Sequence, residues 1–241
     1  MRNVSMIYHE TEHGILYHGD CLDILPTLAD KSVDAVVTDP PYGTNDGKGK
    51  AIKRSNKVVS FCDNDWDRAL PLDFYVNVNA LLKNDTWGVV FTDKIAITNV
   101  WDAITKSGLS PRNTYYWIKT NKAPTPRSNF KSCVETAIAF TKGRTNQKWS
   151  GGGNTPNYYM SPFCSNGNHP TEKRVDLMQR LVEVISERGD IVLDCFAGSG
   201  TTAIACINLG RKYILIEKEE KYCEIAVRRI ESELDQTTID L

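Results

Sequence analysis

The sequence predicts a single α/β domain with an open, mostly parallel sheet of seven strands and helices on both faces. Short apolar runs alternate along the chain with longer amphipathic stretches, which is typical of parallel strands joined by crossover helices. The apolar runs lack a polar face, as expected of strands that are covered on both sides. The length of 241 residues fits one domain with one small insertion.

The predicted strands are short and rich in Val, Ile, Tyr or Phe. They are Ile15–Tyr17, Val33–Thr38, Trp87–Thr92, Asn113–Lys119, Thr136–Thr141, Ile191–Cys195 and Tyr213–Ile216. The predicted helices are Leu70–Leu82, Ile95–Ser107, Val175–Glu187, Thr201–Leu209 and Glu219–Ile230. Apolar residues recur at helical spacing from Val175 to Ile185, which predicts a helix face packed on a core.

Composition and cysteine spacing argue against several classes of protein. The net charge is −1, so nucleic-acid binding would depend on local basic patches. No apolar run approaches the ~20 residues of a membrane span, and Met1–Glu10 lacks the apolar core of a signal peptide. We therefore expect a cytoplasmic protein without membrane contact. The seven cysteines form no C-x-x-C pair, so we expect reduced thiols and no metal.

A glycine-rich turn follows the sixth predicted strand and leads into a helix. It reads Asp194-Cys195-Phe196-Ala197-Gly198-Ser199-Gly200-Thr201. Glycines allow a ligand to approach the backbone closely, and a helix N-terminus offers free N–H groups. Glu217 ends the next strand, where a carboxylate can accept both hydroxyls of a ribose. This pattern predicts a site for a cofactor that contains a nucleoside.

A dinucleotide site is an alternative, because Gly198, Gly200 and Ala203 match the glycine fingerprint of such sites. Two features disfavour it. A dinucleotide unit normally opens its domain, whereas only 24 residues follow Glu217 here. Asp194 would also repel a pyrophosphate but attract a cationic amino-acid group. An ordinary strand-to-helix turn is the other alternative.

The second predicted strand ends in Asp39-Pro40-Pro41-Tyr42. Two prolines cannot continue a sheet ladder, so the chain turns at the carboxyl edge of the sheet, where open α/β sheets bind ligands. Asp39 and the Pro40 carbonyl can accept the N–H bonds of a base amino group and direct its lone pair at a methyl donor. Tyr42 can stack on a base that has left the duplex. The alternative is a rigid surface turn.

Together, these two motifs make the sequence resemble the DNA amino-methyltransferases of the circularly permuted beta class, over nearly the whole chain. In that family the Asp-Pro-Pro-Tyr half precedes a target-recognition segment, and the cofactor half comes last. The resemblance implies a Rossmann-like fold, S-adenosylmethionine as cofactor and DNA as partner. It also implies that Asp39, Pro40, Pro41 and Tyr42 are catalytic.

The resemblance further implies a set of residues that bind the cofactor. Asp20 corresponds to the acid that contacts the adenine ring, and segment 169–173 corresponds to the one that closes over the methionine end. The implied set is Asp20, Cys21, Asp39, Thr171, Lys173, Asp194, Phe196, Ala197, Gly198, Ser199, Gly200, Thr201, Glu217 and Lys218. The stretch from Trp117 to Arg127, with Glu135, resembles the flank of the target-base pocket. Taken alone, Asp20 also fits a simple helix cap.

Basic residues cluster directly after the Asp39 turn and again before Glu135. We expect phosphate contacts from Lys48, Lys50, Lys53, Arg54, Lys57, Lys122 and Arg127. The glycines among the first group favour a mobile arm that becomes ordered on DNA. A solvated loop is the alternative.

The predicted domain has three parts: a catalytic half at 1–142 with a mobile basic loop at 43–67, a short target-recognition segment at 143–168, and a cofactor half at 169–241. The predicted reaction is methylation of adenine N6 in DNA. The alternatives are cytosine N4, an RNA or protein-glutamine substrate, and a non-catalytic nucleic-acid-binding module. The resemblance also allows a homodimer and a cognate restriction endonuclease, for which the sequence shows no signature.

Overall fold

The computed structural model describes residues 6–41, 52–54, 57–59, 74–121, 133–144, 149–163 and 172–239. The strands within these ranges are β1 (Met6–Thr11), β2 (Gly14–His18), β3 (Val33–Thr38), β4 (Ile52–Arg54), β5 (Lys57–Val59), β6 (Leu82–Thr92), β7 (Ser110–Lys119), β8 (Val134–Lys142), β9 (Tyr158–Ser161), β10 (Ile191–Asp194) and β11 (Lys212–Glu217). The helices are α1 (Cys21–Ile24), α2 (Phe74–Leu81), α3 (Ile97–Lys106), α4 (Val175–Ile185), α5 (Thr201–Asn208) and α6 (Glu220–Ile239). A 3₁₀ turn at Leu25–Thr27 follows α1.

The main sheet has the strand order β1-β2-β11-β10-β3-β6-β8-β7-β9. The five neighbouring strands β2, β11, β10, β3 and β6 are parallel. Strand β8 runs antiparallel to both β6 and β7. The predicted mostly parallel α/β sheet is therefore confirmed, and all seven predicted strands form. Two edge strands that were not predicted, β1 and β9, extend the sheet to nine strands.

Each face of the sheet is covered by a separate hydrophobic core, as the continuous apolar strands predicted. One core packs α4, α5 and α6 against residues such as Ala35 and Val37 of β3. The other packs α1, α2 and α3 against the opposite face, including Val36 of the same strand. This alternation follows from the period of two in a strand. Because helices cover both faces of the sheet, a site can form from the loops at the carboxyl ends of the parallel strands.

Several local features differ from the sequence prediction. The basic segment 43–67, predicted as a loop, includes the antiparallel pair β4 and β5. Segment 143–168 contributes β9, which pairs parallel with β7. Helix α6 continues to Ile239, beyond the predicted end at Ile230. The division of the chain at 142 and 168 stays a prediction.

The cysteines behave as small apolar residues in the described part of the chain. Cys21, Cys195, Cys206 and Cys223 are buried free thiols, and Cys133 is half-buried. Burial raises the pKa of Cys21 to about 12, since a thiolate would lose its hydration there. No helix in the described ranges has the length and apolar character needed to cross a membrane.

Candidate active site

The two predicted motifs lie side by side at the carboxyl edge of the sheet, because β3 and β10 are adjacent parallel strands. The hydroxyl of Thr38, at the end of β3, donates a hydrogen bond of 2.8 Å to Oδ1 of Asp194, at the end of β10. The Cys195 amide donates in turn to the Thr38 hydroxyl at 3.1 Å. The turn at Asp39 and the glycine turn are thus joined directly by side-chain hydrogen bonds.

Asp194 is buried beneath the glycine turn. In addition to Thr38, the Thr202 hydroxyl donates to Oδ2 and the Phe196 amide donates to Oδ1 at 3.1 Å. Burial raises the pKa of Asp194 to about 6, although these hydrogen bonds act to lower it. The sequence predicted that this carboxylate lines the cofactor pocket. The structure shows it connecting β3, β10 and the start of α5.

The glycine turn has the backbone conformation that its sequence requires. Gly198 has φ of 52° and Gly200 has φ of 79°, in the left-handed region that favours glycine. Gly200 also packs so closely on α6 that an added Cβ would lie 2.9 Å from Cβ of Ala226. The Ala197 amide donates to the Ile216 carbonyl at 2.9 Å, which attaches the turn to β11.

Glu217 accepts hydrogen bonds from the two sides of this turn. The Gly198 amide donates to Oε2 at 2.7 Å, and the Glu219 amide donates to Oε1 at 2.8 Å. Burial raises the pKa of Glu217, while the two amides oppose this shift. The predicted ribose acid is therefore adjacent to the predicted cofactor turn, with both of its oxygens oriented by backbone donors.

Asp20 lies next to Glu217, because the Gly19 amide donates to the Glu217 carbonyl at 2.9 Å. Its carboxylate caps α1 by accepting from the Leu22 amide, and Lys218 donates to its other oxygen at 3.0 Å. Partial burial acts to raise the pKa of Asp20, but the Leu22 amide and Lys218 hold it below its usual value. The helix-cap alternative is thus observed. Two carboxylates beside a turn with glycine N–H groups also fit the hydroxyls and ring of a nucleoside.

Lys173, which the family resemblance places at the methionine end of the cofactor, lies beside Asp39. Its part in cofactor binding stays a prediction. In the structure its ammonium donates to Oδ2 of Asp39, and it is buried beside Glu135. Within segment 169–173 the structure describes residues 172 and 173, and Lys173 is hydrogen-bonded to the predicted catalytic turn.

Arg229 of α6 is a residue of this site that sequence reasoning missed. Its Nη1 donates to the Ser199 carbonyl at 2.7 Å, to the Ser199 hydroxyl at 2.6 Å and to the Thr201 hydroxyl at 3.1 Å. Its Nη2 pairs with Glu172 at 3.1 Å. Arg229 thus ties the glycine turn to the segment before α4. No local signal distinguishes it from the other basic residues of α6.

We expect Arg229→Met to lower the free energy of unfolding by about 3 kcal/mol, because it leaves the buried Glu172 carboxylate without its partner. The same variant should also bind the cofactor more weakly, since the glycine turn loses three hydrogen bonds. Denaturant titration measures the first effect and calorimetric titration the second. Arg228→Met is the matched control, as Arg228 is exposed on the same helix. Equal losses in both variants would contradict this role.

Some predicted site residues lie outside the described part of the chain. These are Tyr42, Lys48, Lys50, Lys122, Arg127 and Thr171. Lys53, Arg54 and Lys57 belong to β4 and β5, but their side chains are outside the description. Pro40 and Pro41 follow Asp39 directly, as the sequence requires. Phe196, Ala197, Ser199 and Thr201 all belong to the glycine turn or the first residue of α5.

The sheet order and the arrangement at its carboxyl edge define the fold of an S-adenosylmethionine-dependent methyltransferase. A family model described as DNA methylase, of the N6/N4 type, matches residues 33–228. The chain therefore belongs to this DNA methylase family, and the predicted resemblance is confirmed.

Known proteins match nearly the full length. The Type II methyltransferase M2.LlaDCHI of Lactococcus lactis subsp. cremoris is 27% identical, over 92% of this chain and 91% of the relative. The crystal structure of the M1.HpyAVI–SAM complex is 26% identical, with a TM-score of 0.70 over 89% of this chain and 98% of that one. The cytosine-N4-specific PvuII DNA methyltransferase shares the fold at 22% identity, with a TM-score of 0.69 over 93% and 91% of the two chains.

Proposed function

We propose that this protein transfers a methyl group from S-adenosylmethionine to the exocyclic N6 amino group of adenine in DNA. The observation that carries the proposal is the direct junction between the Asp39 turn and the glycine turn through Thr38 and Asp194. Membership of the DNA methylase family supports the substrate and the reaction class. The M1.HpyAVI–SAM complex supports the methyl donor.

Asp39 and the Pro40 carbonyl act on the amino group of the target base. When bound, S-adenosylmethionine supplies an electrophilic methyl group on a sulfonium. Asp39 and Pro40 each accept one N–H bond, which directs the nitrogen lone pair at that methyl group. The N–C bond forms as the S–C bond breaks, a neutral thioether leaves, and the nitrogen loses one proton to water. Holding the two reactants in line contributes on the order of 7–11 kcal/mol.

The remaining predicted residues complete the proposal. Glu217 and Asp20 hold the ribose and adenine of the cofactor against the glycine turn. Tyr42 stacks on the flipped base, which is worth about 1–3 kcal/mol against an extrusion cost of a few kcal/mol. A homodimer and a cognate restriction endonuclease stay predictions from the resemblance.

We expect DNA affinity to depend on salt according to the number of phosphates that the basic residues neutralise. Three contacts give a slope of about −2.7 for log K against log salt concentration. Replacing both Lys48 and Lys50 with Gln should make the slope shallower by about 1.8. Fluorescence anisotropy on duplex DNA at several salt concentrations measures it. An unchanged slope in that variant would show that these lysines do not contact phosphates. The control is Lys106→Gln, because Lys106 is an exposed residue of α3.

Cytosine N4 is the second candidate acceptor, because the family covers both amino groups. An Asp at the first motif position favours adenine by resemblance, and the same geometry would serve either base. The test is to incubate the protein with tritiated S-adenosylmethionine and unmethylated DNA, then digest the DNA and identify the labelled nucleoside. N6-methyl-2′-deoxyadenosine is expected. N4-methyl-2′-deoxycytidine would replace the proposed base, and label found only in parallel incubations with RNA or protein would replace the substrate.

A further inference from the structure

Lys173 is a buried ammonium beside the proposed catalytic aspartate. Its side chain is only 7% exposed, and its Nζ contacts Oδ2 of Asp39 and lies 3.1 Å from Oε2 of Glu135. The same Nζ lies 4.8 Å from the centre of the Phe91 ring. A buried cation requires this kind of enclosure by opposite charge. Carboxylates and an aromatic ring therefore surround the end of the lysine side chain.

A second buried lysine holds Glu135 from its other side. Nζ of Lys119 contacts Oε1 of Glu135 and lies 4.6 Å from the centre of the Trp117 ring. Phe163 covers the same ammonium at 4.8 Å. Burial acts to raise the pKa of Glu135, but the two lysines lower it to about 2. Burial acts to lower the pKa of Lys173, but Asp39 and Glu135 raise it above its usual value.

These four side chains form a continuous row of alternating charge, which we call the charge row: Lys119, Glu135, Lys173 and Asp39. Lys119 is the last residue of β7, and its amide donates to the Cys133 carbonyl at 2.7 Å. Glu135 lies in β8, and Lys173 precedes α4. The row therefore crosses the carboxyl edge of the sheet and ends at Asp39. Its charges sum to zero, so the interior gains no net charge.

We propose that Lys173 and Glu135 are positioning residues for methyl transfer, where Lys173 orients the Asp39 carboxylate and Glu135, fixed by Lys119, orients Lys173. This inference rests on the proposed function. A carboxylate that must accept N–H bonds from a base has to point in one direction, whereas an aspartate on a turn can rotate. A misplacement of about 1 Å in a reacting geometry can lower the rate by about 100-fold. Lys173 thus acts on the rate through Asp39 and not on cofactor affinity.

The first test separates positioning from cofactor binding. We expect Lys173→Met to lower kcat by about 100-fold at saturating DNA and S-adenosylmethionine, with the Kd for S-adenosylmethionine unchanged. Lys173→Arg keeps the charge and should recover part of kcat. The matched control is Lys106→Met, which should change neither value because Lys106 is an exposed residue of α3. A raised Kd with kcat preserved at saturation would overturn the proposal, because Lys173 would then be a cofactor ligand.

The second test asks whether Glu135 acts on the rate through Lys173, as the charge row requires. Glu135→Gln should lower kcat by about 10-fold, and the double variant with Lys173→Met should be no slower than Lys173→Met alone. This non-additivity is expected because Glu135 acts through Lys173. Losses that multiply in the double variant would overturn the row, since the two residues would then act independently.

The third test needs no methyl transfer. Chemical unfolding of Asp39→Asn, Lys173→Met and the double variant should show a combined loss smaller than the sum of the single losses, because the residues are in contact. Additive losses would overturn the inference. If the unfolding data show coupling but the wild-type protein labels no DNA, the proposed function fails while the contact stands.

Discussion

Asp39→Asn is expected to lower methyl transfer to DNA by 10³-fold or more while leaving the Kd for S-adenosylmethionine within about threefold of wild type. The carboxylate accepts an N–H bond of the target amino group, and an amide presents a donor or a weaker acceptor at the same place. Cofactor affinity should persist, because the glycine turn follows β10 and Glu217 ends β11, so neither belongs to the Asp39 turn. Single-turnover transfer to duplex DNA measures the rate, and calorimetric titration measures the affinity.

Asp39→Ala should give the same loss of transfer, with an added loss of stability because Lys173 keeps only one of its two carboxylate partners. Asp102→Asn is the control, because Asp102 is an exposed carboxylate on α3. Persistent transfer by Asp39→Asn would remove Asp39 from the mechanism. A variant that loses transfer and cofactor binding together would indicate a damaged sheet edge, which the unfolding midpoint would reveal. Intact DNA binding without any transfer by the wild-type protein would favour the non-catalytic alternative.

Glu217→Gln is expected to raise the Kd for S-adenosylmethionine by about 100-fold. Hydrogen bonds to a charged acceptor are worth about 1.5–3 kcal/mol each, and 1.4 kcal/mol is a factor of ten. The amides of Gly198 and Glu219 donate to the two carboxylate oxygens. A glutamine would place its NH₂ group against one of these donors, so the turn loses its orientation as well as an acceptor.

The rate at saturating cofactor should change far less than the affinity, because Glu217 does not touch the transferred methyl group in the proposed geometry. Glu220→Gln is the matched control, since Glu220 is exposed in the first turn of α6. A Kd equal to that of the control would mean that Glu217 only supports the turn. A loss confined to kcat would place it in the chemical step instead.

Much of the fold could be predicted from the sequence, because strands and helices depend on the pattern of apolar residues along short stretches of chain. Continuous apolar runs marked the strands that are covered on both faces, and helical spacing marked α4. The two missed strands of the main sheet lie at its edges. Only half of the residues in Met6–Thr11 are apolar, and Tyr158–Ser161 follows a segment rich in glycine and asparagine. Both are short, and each becomes a strand by pairing with a neighbour, β1 with β2 and β9 with β7.

The motifs of the site were also local. Each motif stands at the end of a strand that the sequence predicts. These motifs are the Asp-Pro-Pro sequence after β3, the glycine turn after β10 and Glu217 at the end of β11. Their partners were not local. Thr38 and Asp194 are separated by 156 positions, and Lys173 and Asp39 by 134. In the sequence, nothing distinguishes a threonine at a strand end or a lysine before a helix that makes such a contact from one that does not.

By itself, the sequence determined the class of sheet, the position of the glycine turn and the turn that carries the proposed catalytic carboxylate, because each depends on neighbouring residues along one strand or turn. Only the tertiary structure decided that Asp194 is a buried connector, that Arg229 holds the glycine turn and that Lys173 pairs with Asp39. Buried polar and charged groups must find partners wherever the fold brings them. Those partners are set by the packing of distant elements, so the order of residues along the chain does not encode them visibly.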